Sequence, residues 1–339
     1  MTGKLLNKIK NNKLVDFLYD RLYKNFIYSK ILNRDFLKKK VFNKKFIMRL
    51  AIYIILGTIS YEFIFPILRM LTMTFMSRED LIDPAVSWVP TSISLSNLRV
   101  AYHVLNMPQS LWNSIWFSSM LAFFQTIVSA LTGYALARFD FKFKKLWYFM
   151  LIVTFIIPMP MLGIPRSMIF VTLREMTEMR FIGTIIPQAL LTILGQGVHS
   201  TILILIFYNF MQMIPKTLDE AAEIDGANRF QIFYHIGIRI SIPTVLIVFL
   251  MSMIWNWNET FMTTMFLRGG IELLPGNLGL FSSIFSNRAP AGVGGGMSLI
   301  NEAYTMAATL ISILPLIILY FFVQKQFVKG IENTGITGE

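Results

Sequence analysis

Residues 216–243 read KTLDEAAEIDGANRFQIFYHIGIRISIP. This polar island lies between two long apolar segments and carries Asp219, Glu220, Glu223 and Asp225 ahead of Gly226. Pro215 blocks the preceding apolar helix from running on, and Thr217 followed three residues later by Glu220 is a capping-box pattern. The spacing predicts a short helix with Leu218, Ala221, Ala222 and Ile224 on one face. Gly226 can take a positive φ and end it. Asn228 can then cap a second helix carrying Phe230, Phe233 and Tyr234 at helical spacing. Ala221 and Ala222 permit close backbone approach to another surface, and Glu220, Glu223 and Asp225 offer it carboxylates. No histidine or metal-ligand set stands beside these carboxylates, which argues against acid–base catalysis. On spacing alone, a docking element and a plain connecting loop both fit.

The rest of the chain places this island on a membrane. Of 339 residues, 55% are hydrophobic and only 15% charged, too apolar for an ordinary soluble domain. The net charge is +12, but residues 1–49 hold fourteen of the thirty-one Lys and Arg and no folded basic domain stands apart, so nucleic acid is not the expected partner. There are no cysteines, which excludes disulfides and thiolate chemistry. The first apolar run starts near residue 47, too late for a secretory signal.

A span needs about 20 mostly apolar residues to cross a core about 30 Å thick. Six segments qualify, at about 50–73, 112–136, 146–169, 184–208, 243–266 and 303–324. The expected fold is therefore an all-α integral membrane protein: a basic cytoplasmic extension (1–49), a six-span domain (50–324) and a cytoplasmic tail (325–339). Pro66, Pro158, Pro160, Pro187 and Pro315 fall inside these spans, as in packed or pathway-lining helices. With both termini inside, the inner segments 1–49, 137–145, 209–242 and 325–339 hold twenty-three of the Lys and Arg, including all seventeen lysines. The opening stretch then faces the cytoplasm between spans four and five.

With its position settled, the motif EAAEIDGANRFQIFYHI resembles the EAA loop of the integral membrane subunits of ATP-binding-cassette importers. Glu220, Ala221, Ala222, Asp225, Gly226, Ala227, Phe233, Ile236 and Pro243 fall at matching positions. Ile238 and Arg239 depart from the usual Leu-Pro pair. NSIWFSSMLAFFQTIVSALTGYALARFDFKFKK, IPMPMLGIPRSMIF, WNWNETFMTTMFL and QKQFVKGIENTGITG are similar to the carbohydrate-uptake subfamily, with Phe143 where glycine is usual. The nearest type is the smaller, six-span, maltose-transporter-like permease; residues 1–45 fall outside the likeness.

The resemblance implies a permease of a bacterial plasma membrane that binds no cofactor itself. Its partners would be a second permease subunit in a heterodimer, two cytoplasmic ATPases holding ATP and Mg, and an extracytoplasmic sugar-binding protein. Glu220, Ala221, Ala222, Glu223, Asp225, Gly226, Ala227 and Phe233 would couple to the ATPase. This chain would not hydrolyse ATP, and no G-x-x-x-x-G-K-[ST] phosphate loop occurs in it. A stand-alone secondary transporter or channel for a small polar solute is the competing class, and would not need Glu220 or Gly226. A membrane scaffold anchored by the basic N-terminus is a third.

Polar residues inside spans are candidate pathway groups: Glu62 in span one, Gln196 and His199 in the glycine-interrupted GQGVHST of span four, and Asn256, Asn258 and Glu259 in span five. Helix–helix hydrogen bonding is the alternative for each, and Glu259 also suits the headgroup level. Trp255 and Trp257 read as packing or interfacial residues. The mostly neutral Gln196, His199, Asn256 and Asn258 suit an uncharged sugar. An anionic substrate calls for Arg or Lys, and spans four and five hold neither in their middles. The N-terminal stretch mixes basic and apolar residues with i,i+4 leucines, fitting either a helix on the anionic inner leaflet of the lipid bilayer or a topogenic charge cluster. The glycine-rich 288–298 reads as an outer loop.

Overall fold

The computed structural model describes residues 44–288 and 298–333, and all regular structure among the described residues is helical. The N-terminal amphipathic stretch and most of the 288–298 loop lie outside the described residues. The chain divides after Arg69.

In the first unit, α1 (Lys44–Phe75) begins, apolar on all sides. Ile52, Ile55, Ile59 and Phe63 are all exposed along it, a surface that water does not favour and lipid does.

In the second unit, α2 (Arg78–Ile82) is held by a reciprocal capping box between Ser77 and Asp80. In α3 (Ser96–Val104), the buried Asn97 side chain donates to the Met73, Thr74 and Met76 carbonyls, acceptors left open where α1 ends. The central helix α4 (Met107–Arg138) has 32 residues, a length of about 48 Å.

Span three does not form as one helix. It divides into α5 (Lys144–Ile156) and α6 (Met159–Thr177), which bend by 104° at the break. Pro158 and Pro160 supply no N–H, and Pro158 forces Ile157 into extended backbone, with ψ at 119°. Span four is likewise interrupted, between α7 (Ile186–Ile193) and α8 (Ser200–Met213). Gly195 (φ +77°) and His199 (φ +51°) turn the chain there through the left-handed region.

The polar island forms α9 (Lys216–Ile224) and α10 (Arg229–Ile232), the latter continuing as a π-helix over Phe233–Ile238. Span five is shorter than expected, since α11 (Ile242–Asn258) stops before a separate α12 (Phe261–Leu267). Two short helices, α13 (Leu274–Gly279) and α14 (Phe281–Arg288), precede α15 (Ser298–Asn333). The stretches Met48–Phe75, Met107–Arg138 and Glu302–Gln324 are each long and apolar enough to cross a membrane unbroken.

Two of the hydrophobic cores of the second unit bear on the site. One gathers Tyr134, Leu203, Phe207, Met211 and Phe233 between α4, α8 and the π-helix. The other joins α3, α11, α13 and α15 through Val104, Leu105, Trp257, Leu274 and Ala307. Trp257 is thus a packing residue, as its sequence context suggested. The α4–α8 approach is close because residue 133 is glycine. A Cβ there would lie 2.6 Å from Phe207 Cβ and 2.9 Å from the Tyr208 nitrogen.

Candidate functional site

The polar island is a rigid element with one free face. α9 starts two residues earlier than the capping-box pattern implied. Pro215 is its N-cap and Thr217 lies within the first turn, so the expected Thr217–Glu220 box is absent. The fixed φ of Pro215, at −58°, starts the helix in place of a side-chain cap. The helix ends as expected at Gly226, with φ +83°. The Ala227 amide donates to the Ala222 carbonyl (2.9 Å) and the Gly226 amide to the Glu223 carbonyl (3.0 Å), the paired bonds of a Schellman stop. Asn228 then caps α10 in a full capping box. Its Oδ1 accepts from the Gln231 amide (2.9 Å), and its own amide donates to Gln231 Oε1 (2.8 Å).

Glu220, Ala221, Glu223, Asp225 and Gly226 are all exposed, with Ala222 and Ala227 half-buried. Leu218, Ile224, Phe230 and Tyr234 add apolar surface, Ile224 at 87% exposure. Glu223 pairs with Arg229 within the loop. Phe233 differs from the other expected coupling residues. It is buried, its ring 4.9 Å from that of Tyr134, and it anchors the loop rather than facing outward. Ile238 and Arg239, at the expected Leu-Pro pair, occupy the end of the π-helix and its C-cap.

A second anchor was not anticipated from sequence. Arg138, the last residue of α4, donates from Nη2 to the Ile214 carbonyl (2.8 Å), and its Nε stands 3.4 Å from Asp219 Oδ2. The entry to α9 is thereby fixed to the end of α4.

Within the membrane domain, the breaks of spans three and four meet at a cleft of about 180 Å³. Gln196 and His199 line it, as do Thr154, Thr201 and Arg166. Arg166 Nη2 donates to Gln196 Oε1 (3.1 Å), and the His199 ring stands edge-on to Trp255 with centroids 4.9 Å apart. The lining is therefore not neutral, contrary to the sequence expectation: α6 carries a cation into the site that spans four and five lack. Behind the cleft wall, the fully buried Gln125 of α4 is a hydrogen-bond hub. Its Oε1 accepts from Ser252 Oγ (2.7 Å) and Asn256 Nδ2 (3.1 Å), and its Nε2 donates to Ser200 Oγ (3.1 Å) and the Val198 carbonyl.

Asn256 is thus buried in helix–helix bonding rather than lining the cleft mouth. Asn258 is exposed and donates back to the Ile254 carbonyl (3.0 Å). Glu259 accepts from the Met262 amide (2.7 Å) and so helps start α12. Glu62 is exposed on α1 in the first unit. Gln125 and Arg166 were missed although the costliness of polar groups inside spans, applied to spans two and three as it was to the others, would have found both.

The family described as "Binding-protein-dependent transport system inner membrane component" matches residues 125–333, more than half of the chain. The chain belongs to this family. The arabinooligosaccharides transport system permease protein AraQ of Halalkalibacterium halodurans is 22% identical over 284 residues, 83% of this chain and 93% of AraQ. The probable starch degradation products transport system permease protein AmyC of Thermoanaerobacterium thermosulfurigenes is 26% identical over 274 residues, 80% and 91% of the two chains. Among solved structures, a chain of a bacterial ABC transporter involved in the import of the acidic polysaccharide alginate superposes with a TM-score of 0.64 at 22% identity. The match covers 82% of this chain and 96% of that one. This inner membrane component thus shares its fold with an importer subunit.

Proposed function

We propose that this inner membrane component is one of two permease subunits of an ATP-binding-cassette importer for a sugar or oligosaccharide, in the plasma membrane of a bacterium. Six spans cross with both termini inside: α1, α4, the bent α5–α6, the interrupted α7–α8, α11 with α12, and α15. The balance of Lys and Arg supports this orientation. α9 and α10 form the coupling element, and Glu220, Ala221, Ala222, Glu223, Asp225, Gly226 and Ala227 meet a cleft on a cytoplasmic ATPase. Phe233 acts there from below, as the anchor. ATP and Mg are handled by that partner, and an extracytoplasmic binding protein delivers the sugar. The carbohydrate class is supported by AraQ and AmyC, which are named as permeases for arabinooligosaccharides and, as a probable assignment, for starch degradation products.

The observation that carries this reading is the exposure of Leu218, Ile224 and Phe230 on a loop fixed at both ends. A surface of that kind beside free carboxylates fits a partner better than it fits water. The test is co-purification. The wild-type chain should bring an ATPase with it, and Glu220→Arg should lose it. A chain that transports without any ATPase would overturn the reading in favour of a secondary carrier. Orientation is checked separately in the cysteine-free background: Asn228→Cys should be shielded from an impermeant thiol reagent in intact cells, and Ser92→Cys labelled.

A further inference from the structure

Arg166 poses a problem of charge. Its side chain is buried, at 9% exposure, on a helix fixed by Phe170, Met262 and Phe266. Its contacts are neutral: Gln196 Oε1 at 3.1 Å, and the Met159 sulfur 3.9 Å from Nη1. It forms no ion pair with any described residue, and no Asp or Glu lines the cleft. A guanidinium stays charged and carries five N–H donors. Inside a span, such a cation is costly unless something supplies the opposite charge. Among the described residues that line the cleft, none does.

The rest of the lining says what else the occupant carries. The Thr154 and Thr201 hydroxyls, from α5 and α8, line the same cleft 3.0 Å apart, and Ser200 and His199 add further hydrogen-bonding groups. Gly195 and Gly197 keep the wall thin where the chain turns. The cleft, about 180 Å³, is below the roughly 300–1,000 Å³ of pockets for drug-sized ligands, and suits one unit of a longer molecule. A planar fork from α6 and hydroxyls from α5 and α8, gathered in one cleft, match a carboxylate on a polyhydroxylated ring.

We infer that this cleft binds an acidic saccharide, whose carboxylate is the counter-charge of Arg166. The inference rests on the importer reading for its biological sense and replaces the uncharged sugar with a charged one. The test uses the full chain, purified with its associated subunits into lipid nanodiscs and carrying Phe155→Cys at the cleft rim. The probes are trigalacturonate, its fully methyl-esterified form and the sugar-free dicarboxylate glutarate, each scored by the concentration that half-protects the cysteine from a thiol reagent.

Trigalacturonate should protect at concentrations about tenfold lower than either comparison compound. Arg166→Gln should abolish that preference, while Arg166→Lys should keep part of it. Equal protection by the esterified probe, equal protection by glutarate, no protection by any probe, or a preference that survives Arg166→Gln would each overturn the inference. An arginine neutralised instead by another subunit's carboxylate would give no preference in the wild type and so also counts against it. Should Arg166→Gln not assemble, the wild-type comparison of charged with esterified probe decides alone. Failure of an ATPase to co-purify bears on the importer reading and leaves this measurement intact.

Discussion

The Arg138 guanidinium is shared between the Ile214 carbonyl, at 2.8 Å, and the Asp219 carboxylate, at 3.4 Å, with the two side chains only 5% and 15% exposed. The contact with Asp219 is electrostatic, since Nε is not aligned to hydrogen-bond there. One cation therefore ties the end of α4 to the first turn of α9. In the proposed coupling, movement of α9 would be passed to α4 through this joint and through Phe233 on Tyr134. Arg138→Met should leave the protein inserted, cut uptake about tenfold and weaken the stimulation of ATPase activity by substrate. The basis is the loss of a charge-assisted bond worth about 1.5–3 kcal/mol. Arg138→Lys should recover part of the coupling, because an ammonium can hold one partner but lacks the fork. Uptake and substrate-stimulated ATPase activity in proteoliposomes check this, and wild-type stimulation in Arg138→Met would refute it.

Gly226 separates conformation from contact. Its φ is +83°, and a Cβ added there would meet nothing within 4 Å in this chain. The penalty for Gly226→Val is then conformational, about 1–2 kcal/mol, plus any clash with the docked ATPase. Gly226→Asn should be milder for the fold, because Asn tolerates the left-handed region. If the Asn variant melts like the wild type yet releases the ATPase, the glycine serves close approach of the partner. If both variants couple normally, the helix stop is not needed for transport.

How much of this was readable beforehand follows from the type of signal. The Gly226 stop and the Asn228 cap were legible because both are local: a left-handed glycine and a reciprocal cap are decided within six residues. Three of the expected spans, the first, second and last, form helices long and apolar enough to cross unbroken, whereas the continuity of the others was not legible. Pro158 and Pro160 were visible, but whether a proline bends a membrane helix or is tolerated in it depends on neighbours, as Pro66 and Pro315 within α1 and α15 demonstrate. The cleft was half legible. Gln196 and His199 stood out beside glycines, whereas Arg166 comes from a different span and reaches them only through the 104° bend. Phe143, at the position where glycine is usual in the resemblance, adopts φ +65°. That left-handed backbone is one glycine takes more readily than phenylalanine does.

Gly133 is a third test, on packing alone. A Cβ at 133 would come within 2.6 Å of Phe207 Cβ and 3.0 Å of the Ile204 carbonyl, both on α8. Neither can yield without moving backbone. Gly133→Ala should therefore separate α4 from α8 and destabilise the protein by about 1–3 kcal/mol, the usual cost of overpacking. Gly276→Ala, where the added atom meets nothing within 4 Å, is the matched control. Melting of the purified protein in detergent checks both; a Gly133→Ala midpoint equal to that of Gly276→Ala would mean that the two helices are not in close contact.

The last test concerns acid, at the loop between α12 and α13. Glu272 accepts from Arg288 with both carboxylate oxygens, from Asn106 Nδ2 at 3.0 Å, and through its backbone carbonyl from Asn113 Nδ2 at 3.0 Å. It thereby joins the end of α14 to the turn between α3 and α4, where Asn106 has φ +48°. The Arg288 hydrogen bond holds the Glu272 carboxyl below its ordinary value of 4.5, against the opposing effect of burial and with help from Asn106. The folded protein therefore binds this proton less readily than the unfolded chain does. The stabilisation is complete above the ordinary value and is lost as pH falls through it toward the depressed one. With the two side chains 31% and 39% exposed, the pair is worth at most about 1 kcal/mol. Glu272→Gln should lower the melting midpoint of the purified protein at pH 7, and the gap to wild type should narrow steadily between pH 5 and pH 3. Asp80, whose carboxyl is also lowered, chiefly by Thr91, titrates in both proteins and cancels in the difference. A gap that stays constant across that range would mean that the Glu272 charge contributes nothing to the fold, and that Glu272→Gln acts only by altering the fit of the loop.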